Sequence, residues 1–217
     1  MNGKRIVLTL VCALWMIAAG AQNTVESIRK LYQEVQENIG LMMPGEDGMW
    51  GVPPQYYELD VHQNLPGTGP HNELYRMFYV DEEVLDEDGE PVIYPPHFLR
   101  FVTVKYNFAA REFYEECLFD DHGNVLFIYF ITVDLDENMV PYELRLWYDG
   151  DRLLRFMAKR AEGGEAADLA TMKKYTFKEE YSGKTIPEKF QEVAGGLKAS
   201  ARKFIDMFEA IDNRTYK

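Results

Sequence analysis

Residues 98–159 constrain the fold more than any other stretch, because strand-like runs and turn signals alternate along its whole length. The turn signals are DDHGN at 120–124, DLDEN at 134–138 and DGD at 149–151. Aromatic and β-branched residues fill the runs between them, as they do in half-buried strands. Short runs joined by short turns predict four or five antiparallel strands that follow one another in a meander.

Two of these runs differ in their predicted burial. The run from Val125 to Val133 is apolar or aromatic on both alternations, which predicts a central strand covered on both faces. In the run 142–149, apolar residues alternate with Glu143 and Arg145. That pattern predicts a strand with one solvent-facing side.

Two further strands are predicted upstream, at 56–63 and 73–80, and the segment NLPGTGPH (64–71) joins them. A phosphate-binding loop would lead from a strand into a helix and would carry a lysine. This segment leads into a second strand, and its glycines and prolines suit a turn. We therefore expect a wide hairpin connection here and an acidic loop at 81–96.

Helical periodicity marks both ends of the chain. Asn23 and Glu26 have the spacing of a helix cap and capping box, and apolar residues then recur every three or four positions. This pattern predicts a helix at about 24–40, ended by Gly40. A second apolar stripe predicts a helix at about 187–211 that lies against the sheet.

The segment 160–185 is expected to add a short helix at about 164–173 and an edge strand near 174–180. The predicted fold class is therefore α+β. It is a single curved antiparallel β-sheet meander of about seven strands, with the N-terminal and C-terminal helices packed on it.

Residues 1–21 have the features of a signal peptide. The positive segment NGKR precedes an apolar run that is too short to span a bilayer comfortably, and a small-residue A-G-A site ends at 21. We expect cleavage there, which leaves 22–217 as a single α+β domain in the periplasm or secreted from a Gram-negative cell. The alternatives are a retained membrane anchor and a lipoprotein attached through Cys12.

The chain is acidic, with a formal charge of −13 that becomes −15 once residues 1–21 are removed. Such a surface repels nucleic acid phosphates and anionic lipid headgroups. The sequence therefore predicts no nucleic acid partner, and it predicts no membrane span after signal cleavage.

Metal binding finds little support in the pattern of ligands. The chain has four histidines, and of these His62 and His71 flank the hairpin connection and could approach each other. No zinc-binding spacing accompanies them. Asp134, Asp136 and Asn138 match the first ligands of a Ca²⁺ loop, but the glycine and the final glutamate of that loop are missing. No metal and no cofactor is predicted.

Catalytic signatures are also missing. Glu112 and Glu116 share a strand face, but they stand roughly 13 Å apart at ~3.3 Å per residue, which is too far for a glycosidase pair. Cys117 is expected to be a buried, inert thiol, because Glu115 and Glu116 beside it disfavour a thiolate. We predict no catalytic residue.

Aromatic side chains are the most suggestive feature, since many of the 14 Tyr, 13 Phe and 3 Trp fall on strands. A ring on the solvent-facing side of a sheet can stack on a sugar or peptide. The alternative is a sheet with both faces covered, in which the rings belong to the core. The candidate ligand-binding residues are His62, His71, Tyr75, Tyr79 and Trp147.

Three segments carry a resemblance: ESIRKLYQEV, LPGTGPH and YPPHFLRFVTVKYNFAAREFYEECLFDDHGNVLFIYF. They resemble a group of small secreted proteins from Bacteroides-like gut bacteria. The similarity covers roughly 24–150, and KYNFAAREFYEECLFD is its most specific part. The group has no established activity, so the resemblance implies a Gram-negative envelope or secreted setting and transfers no site residue.

The sequence favours a non-catalytic binding or interaction module over an enzyme. Its partner would be a small molecule, a glycan or an envelope protein. One alternative is a hydrolase of envelope or dietary polymers that uses Glu or Asp in a cleft. Another is an assembly protein that uses its C-terminal helix.

Overall fold

The computed structural model describes residues 22–43, 48, 51–82, 84–85, 88–90, 92, 95–133, 135, 140–162 and 176–215. These residues form one open antiparallel sheet of eight strands and two helices. The prediction of an α+β fold built on an antiparallel sheet is confirmed. The strand count is eight, against about seven predicted, because residues 97–161 form five strands where four or five were expected.

The elements follow one another along the chain with a helix near each end. They are α1 (Val25–Met42), β1 (Tyr56–Leu65), β2 (Gly69–Asp81), β3 (His97–Phe108), β4 (Arg111–Phe119), β5 (Val125–Thr132), β6 (Tyr142–Asp149), β7 (Arg152–Ala161), β8 (Phe177–Gly183) and α2 (Glu188–Thr215). Every strand pairs with its sequence neighbours, so spatial order equals chain order.

The hairpin between β1 and β2 is tighter than the sequence indicated. The ladder continues until Leu65 pairs with Gly69, which leaves only residues 66–68 as the turn. Gly67 and Gly69 have φ values of +78° and +92°, a region that glycine enters without steric cost. The expected wide connection is therefore wrong, because the two glycines let the chain reverse within three residues.

Helix α2 covers one face of the sheet, as its apolar stripe predicted. Under it lies a row of paired residues from β2–β7 that are all 0% exposed: Met77, Val102, Cys117, Ile128, Leu146 and Phe156. The buried residues of the helix on this side are Phe190, Ala194, Leu197, Ala201, Phe204 and Phe208. The prediction of a buried Cys117 thiol is confirmed.

Helix α1 covers part of the opposite face, through Ile28, Val35 and Met42. Its N-cap lies one residue later than predicted. The Thr24 hydroxyl accepts a hydrogen bond of 3.1 Å from the Ser27 backbone N–H, and the Ser27 hydroxyl accepts one of 3.0 Å from the Thr24 N–H.

Strand β5 is buried along both faces except at Tyr129, which confirms the predicted central strand. The solvent-facing side predicted for β6 is wrong. Glu143 and Trp147 on that side are only 7% and 3% exposed. Trp147 lies beneath α1, and the side chains of Tyr129 and Arg145 contact Glu143, which local alternation in the sequence cannot register.

The predicted edge strand near 174–180 is β8, shifted to Phe177–Gly183. Several other predictions lie outside the described residues: the signal peptide at 1–21, the helix at 164–173, and Asp134, Asp136 and Asn138. In the described part of the chain, neither helix combines the length and the apolar character needed to cross a membrane.

Candidate functional site

The sheet face beneath α1 changes character from one row of paired residues to the next. The first row is apolar and buried, and it consists of Phe101, Leu118, Phe127 and Trp147. The next row, two residues along each strand, contains Thr103, Glu116, Tyr129 and Arg145. Helix α1 rests on the first row, and polar side chains begin at the second.

A cavity of about 810 Å³ lies between α1 and this face. The helix contributes Arg29, Tyr32, Gln33 and Gln36 to its wall, and strands β3–β6 contribute the rest. The volume falls within the range of small-molecule sites in proteins, about 300–1,000 Å³. The cavity is therefore large enough for a drug-sized organic molecule.

Glu116 is the acid that lines the cavity wall, with 8% of its surface exposed. The Tyr32 hydroxyl donates to Glu116 Oε2 over 2.6 Å, and the Tyr114 hydroxyl donates to Oε1 over 2.7 Å. Burial raises the pKa of the Glu116 carboxyl, while both tyrosines and the charge of Arg145 act in the opposite direction. Each carboxylate oxygen already has one protein donor.

Arg145 and Glu143 form an ion pair at the side of the same cavity. Arg145 Nε lies 2.9 Å from Glu143 Oε1, and the Tyr129 hydroxyl donates to Glu143 Oε2 over 3.2 Å. The Arg145 guanidinium carbon also lies 5.4 Å from the centre of the Tyr129 ring, a cation–π distance. The Nε proton points away from the line to Glu143, so this buried atom has a charge partner but no aligned acceptor among the described residues.

Three tyrosines hold these two acids in place. Burial first, and then the charge of Glu116, raises the pKa values of Tyr32 and Tyr114. Burial and Glu143 raise the pKa of Tyr129 in the same way. All three hydroxyls therefore remain protonated donors across the physiological pH range.

Positive side chains stand around the cavity. The Arg29 guanidinium carbon lies 5.4 Å from the centre of the Trp147 ring, and that of Arg155 lies 5.8 Å from it. The Lys105 side chain is 54% exposed and lies 3.7 Å from Glu112 at the surface. Lys105 also lines a second cavity of about 370 Å³, whose wall includes Asn72 and Asn107.

The structure brings one of the five predicted site residues into this cavity, Trp147. Tyr75 and Tyr79 lie under α2 on the other face, where Tyr75 donates to Glu73 and Tyr79 stacks on Tyr57 at 5.1 Å. His62 is exposed, and its Nδ1 lies 2.7 Å from Asn72 Oδ1.

His71 lies on the opposite face from His62, because His71 pairs with Gln63 and His62 pairs with Asn72. The expectation that the two histidines could approach each other is therefore wrong. His71 Nε2 lies 2.6 Å from Glu73 Oε1. Within the described residues, no three His, Cys, Asp or Glu side chains gather as metal ligands.

Sequence reasoning missed the polar members of the cavity wall, Tyr32, Tyr114, Glu116, Tyr129 and Arg145. One signal was available: Glu116 interrupts the apolar run EFYEECLFD, and Arg145 interrupts YELRLWYD. A charge inside a strand of a well-covered sheet needs a partner, so such interruptions mark places where polar groups meet.

The other face holds one buried acid, Glu115, which is 4% exposed. The Cys117 thiol donates to its Oε1 over 3.5 Å. Burial raises the pKa of the Glu115 carboxyl to about 7. Burial and the same acid raise the pKa of the Cys117 thiol, which keeps it from acting as a nucleophile.

Comparison with protein-family models, with curated proteins and with solved structures gave no match.

Proposed function

We propose that this protein is a non-catalytic binding module that takes a small organic molecule into the cavity between α1 and the sheet. The observation that carries the proposal is a ligand-sized cavity of about 810 Å³ whose wall combines aromatic rings with charged side chains held in fixed positions. Binding sites in proteins usually combine an apolar wall with a few oriented polar groups.

Pre-organisation supports a binding role. Glu116 and Glu143 are fixed by tyrosine hydroxyls and by Arg145, so their side chains lose little conformational freedom when a ligand arrives. A rigid wall lowers the entropy cost of binding.

We also propose that the sheet is strongly curved around this cavity. Register shifts interrupt the pairing in β2, β4, β6 and β7, and bulges of this kind bend and twist strands. Phe177 at the start of β8 packs against the cluster of Ile131 and Val133 at the end of β5. A sheet bent toward α1 would deepen the cavity.

A ligand panel with a blocked variant tests the binding proposal. Gln36→Trp puts a large ring into the cavity wall, and Glu37→Trp puts the same ring on the exposed side of α1 as the control. A ligand at about 100 times its dissociation constant should add ~2.7 kcal/mol to the stability of the wild type, visible as a thermal shift. The shift should persist in Glu37→Trp and vanish in Gln36→Trp. Ligands that shift both variants equally would contradict binding in the cavity.

We propose a periplasmic or secreted location in the Gram-negative envelope, supported by the signal-like composition of residues 1–21. An envelope protein or a glycan remains a possible partner in that compartment. The full chain expressed in a Gram-negative host should appear in the periplasmic fraction, with the mass of a chain whose first residue is Gln22. Recovery of the uncleaved chain from the cytoplasm would contradict the location.

A hydrolase is the second candidate, because Glu116 is a buried acid in a cavity and Glu143 lies nearby. Strand spacing and rise place the Cα atoms of these two acids ~12 Å apart, so their side chains would have to reach toward each other to meet the roughly 5–9.5 Å between glycosidase carboxyl groups. Chromogenic glycosides and peptides provide the assay. Turnover that Glu116→Gln abolishes, with ligand binding retained, would favour the enzyme. Ligand binding without turnover in the wild type would favour the binding module.

A further inference from the structure

The cavity wall has more hydrogen-bond donors than acceptors. Gln36 Nε2 is buried and has no acceptor in the described part of the chain. Arg145 Nε is buried and is likewise without an aligned acceptor there. The obvious acceptor, Glu116, already receives both tyrosine hydroxyls. Buried donors without acceptors are costly, so a ligand that supplies oxygen acceptors would gain most here.

The charges around the cavity point to the same kind of ligand. Three cations line it (Arg29, Lys105 and Arg145), against one acid (Glu116). This small positive excess occurs in a chain whose net charge is −13. A local concentration of cations on an acidic protein needs a counter-charge, and an anionic ligand would provide it.

Arg29 strengthens this charge argument. Among the described residues it forms no ion pair, and its contact is with the Trp147 ring. Trp147 itself is 3% exposed, so the guanidinium rests on a rigid platform at the cavity wall. Arginine offers several N–H groups in a fork that suits carboxylate, sulfonate and phosphate oxygens.

The remaining wall is aromatic. Tyr32 meets Phe127 edge-on at 5.2 Å, and Tyr129 lies in the next row of the sheet. Rigid rings offer flat surfaces against which another ring can pack. The cavity therefore has one part suited to an anion and one part suited to an apolar ring.

We propose that the cavity is selective for organic anions that carry one acidic group on a flat apolar body. Arg29 and Arg145 receive the acidic group, and the rings of Tyr32, Phe127 and Tyr129 receive the body. This inference rests on the proposed function, because it names the ligand class of the same cavity.

Two fluorescent probes with the same aromatic body separate charge from shape. Anilinonaphthalene sulfonate is an anion, and N-phenylnaphthylamine has the same rings without the acidic group. Titration of the wild-type protein should give a dissociation constant about tenfold lower for the anion, because one charge-assisted hydrogen bond contributes about that factor. Gln36→Trp should abolish binding of both probes, and Glu37→Trp should not.

Charge variants then test the residues. Arg29→Gln should weaken binding of the sulfonate several-fold and leave N-phenylnaphthylamine unchanged, whereas the adjacent Lys30→Gln, which lies outside the cavity wall, should change neither. Arg145→Lys keeps the charge beside Glu143, so it preserves the ion pair while removing the guanidinium fork. It should also weaken only the sulfonate.

Failure of this inference can be told apart from failure of the proposed function. Equal binding of both probes, lost in Gln36→Trp, would overturn anion selectivity and leave a small-molecule cavity standing. Binding of the sulfonate that survives Gln36→Trp would overturn the inference, since the probe would then sit elsewhere. If neither probe binds, anion selectivity is overturned, and the ligand panel alone decides the proposed function.

Discussion

The two faces of this sheet are both buried, yet they are built differently. On the α2 side, the row from Met77 to Phe156 is apolar and 0% exposed throughout. On the α1 side, one step along each strand, the row holds Glu116, Tyr129 and Arg145. One face is held together by close packing, and the other by oriented hydrogen bonds around a cavity. Under the proposed function, stability and binding are separated by the thickness of a single sheet.

This separation has a physical reason. A long helix with a continuous apolar stripe can fill one face and exclude water from it. The shorter α1 covers only the first row of its face, and the polar side chains beyond that row must satisfy one another. The comparison makes different predictions for mutations on the two sides.

The largest effect is expected on the packed face. Phe190 is 0% exposed and contacts the rings of Phe156 and Tyr181, each at 5.3 Å. Phe190→Ala should lower the free energy of unfolding by about 3–5 kcal/mol, because it removes a buried ring and leaves a cavity. Chemical denaturation measures the change. Phe108→Ala, at a ring that is 41% exposed, is the control, and an equal loss there would contradict the packing role of α2.

The buried acid of the packed face gives the next effect. The pKa of Glu115 is about 7 in the folded protein, above its ordinary value of 4.5, so its contribution is fully present below pH 4.5 and is lost as the pH rises to about 7. Glu115→Gln mimics the protonated acid and should match the wild type at pH 4. At pH 8 the variant should be more stable by roughly 3 kcal/mol.

Denaturation curves at several pH values provide the measurement for Glu115. Glu112→Gln, at the exposed start of the same strand, is the matched control and should show no such trend. A constant difference between Glu115→Gln and the wild type from pH 4 to pH 8 would mean that Glu115 titrates normally.

The hydrogen-bonded face gives a smaller effect. Tyr32→Phe keeps the ring but removes the 2.6 Å hydrogen bond to Glu116, and it should cost about 1–3 kcal/mol because a buried carboxylate loses a donor. A double-mutant cycle with Glu116→Gln should show coupling between the two positions. Tyr56→Phe is the control, since the Tyr56 hydroxyl has no hydrogen-bond partner among the described residues. Stability losses of the two single variants that simply add in the double variant would contradict the pairing of Tyr32 with Glu116.

The smallest effect on stability concerns the N-cap of α1, for which the sequence predicts Asn23 and the structure shows Thr24. Thr24→Ala should cost about 1 kcal/mol, because the Ser27 N–H loses its acceptor. Asn23→Ala should cost less, since the Asn23 side chain loses a long 3.3 Å hydrogen bond to Asp149. Thermal unfolding of both variants provides the measurement. A larger loss of stability in Asn23→Ala than in Thr24→Ala would support Asn23 as the N-cap, as the sequence predicts.

Sequence periodicity was sufficient for the elements and for the packed face. The stripe of α2 and the two-sided apolarity of β5 identify buried surfaces directly, since apolar residues report their own burial. Polar residues do not: Glu143 and Arg145 look solvent-exposed because alternation carries no information about what covers a strand. Glu143 is buried through contacts with Tyr129 and Arg145 from the neighbouring residues of the sheet, and Glu116 meets Tyr32 from 84 residues away.

The cavity could not be predicted from the sequence for the same reason. Trp147 lies on the same side of its strand as Glu143 and Arg145, and that side proves to be the cavity wall. Tyr75 and Tyr79 are also aromatic residues on a predicted strand, but they belong to the other face. Choosing between them requires the pairing register, and register is a property of the assembled sheet.

The sequential order of the strands has a consequence for the time course of folding. Every strand pair closes through its own connection, so the sheet can grow hairpin by hairpin from contacts that are near in the chain. The helices must close much longer loops, as between Tyr57 and Asp212, 155 residues apart and joined by a 2.9 Å hydrogen bond. The cavity is complete only when α1 docks on the sheet, so under the proposed function a chain with a finished sheet would gain its ligand affinity only at that step.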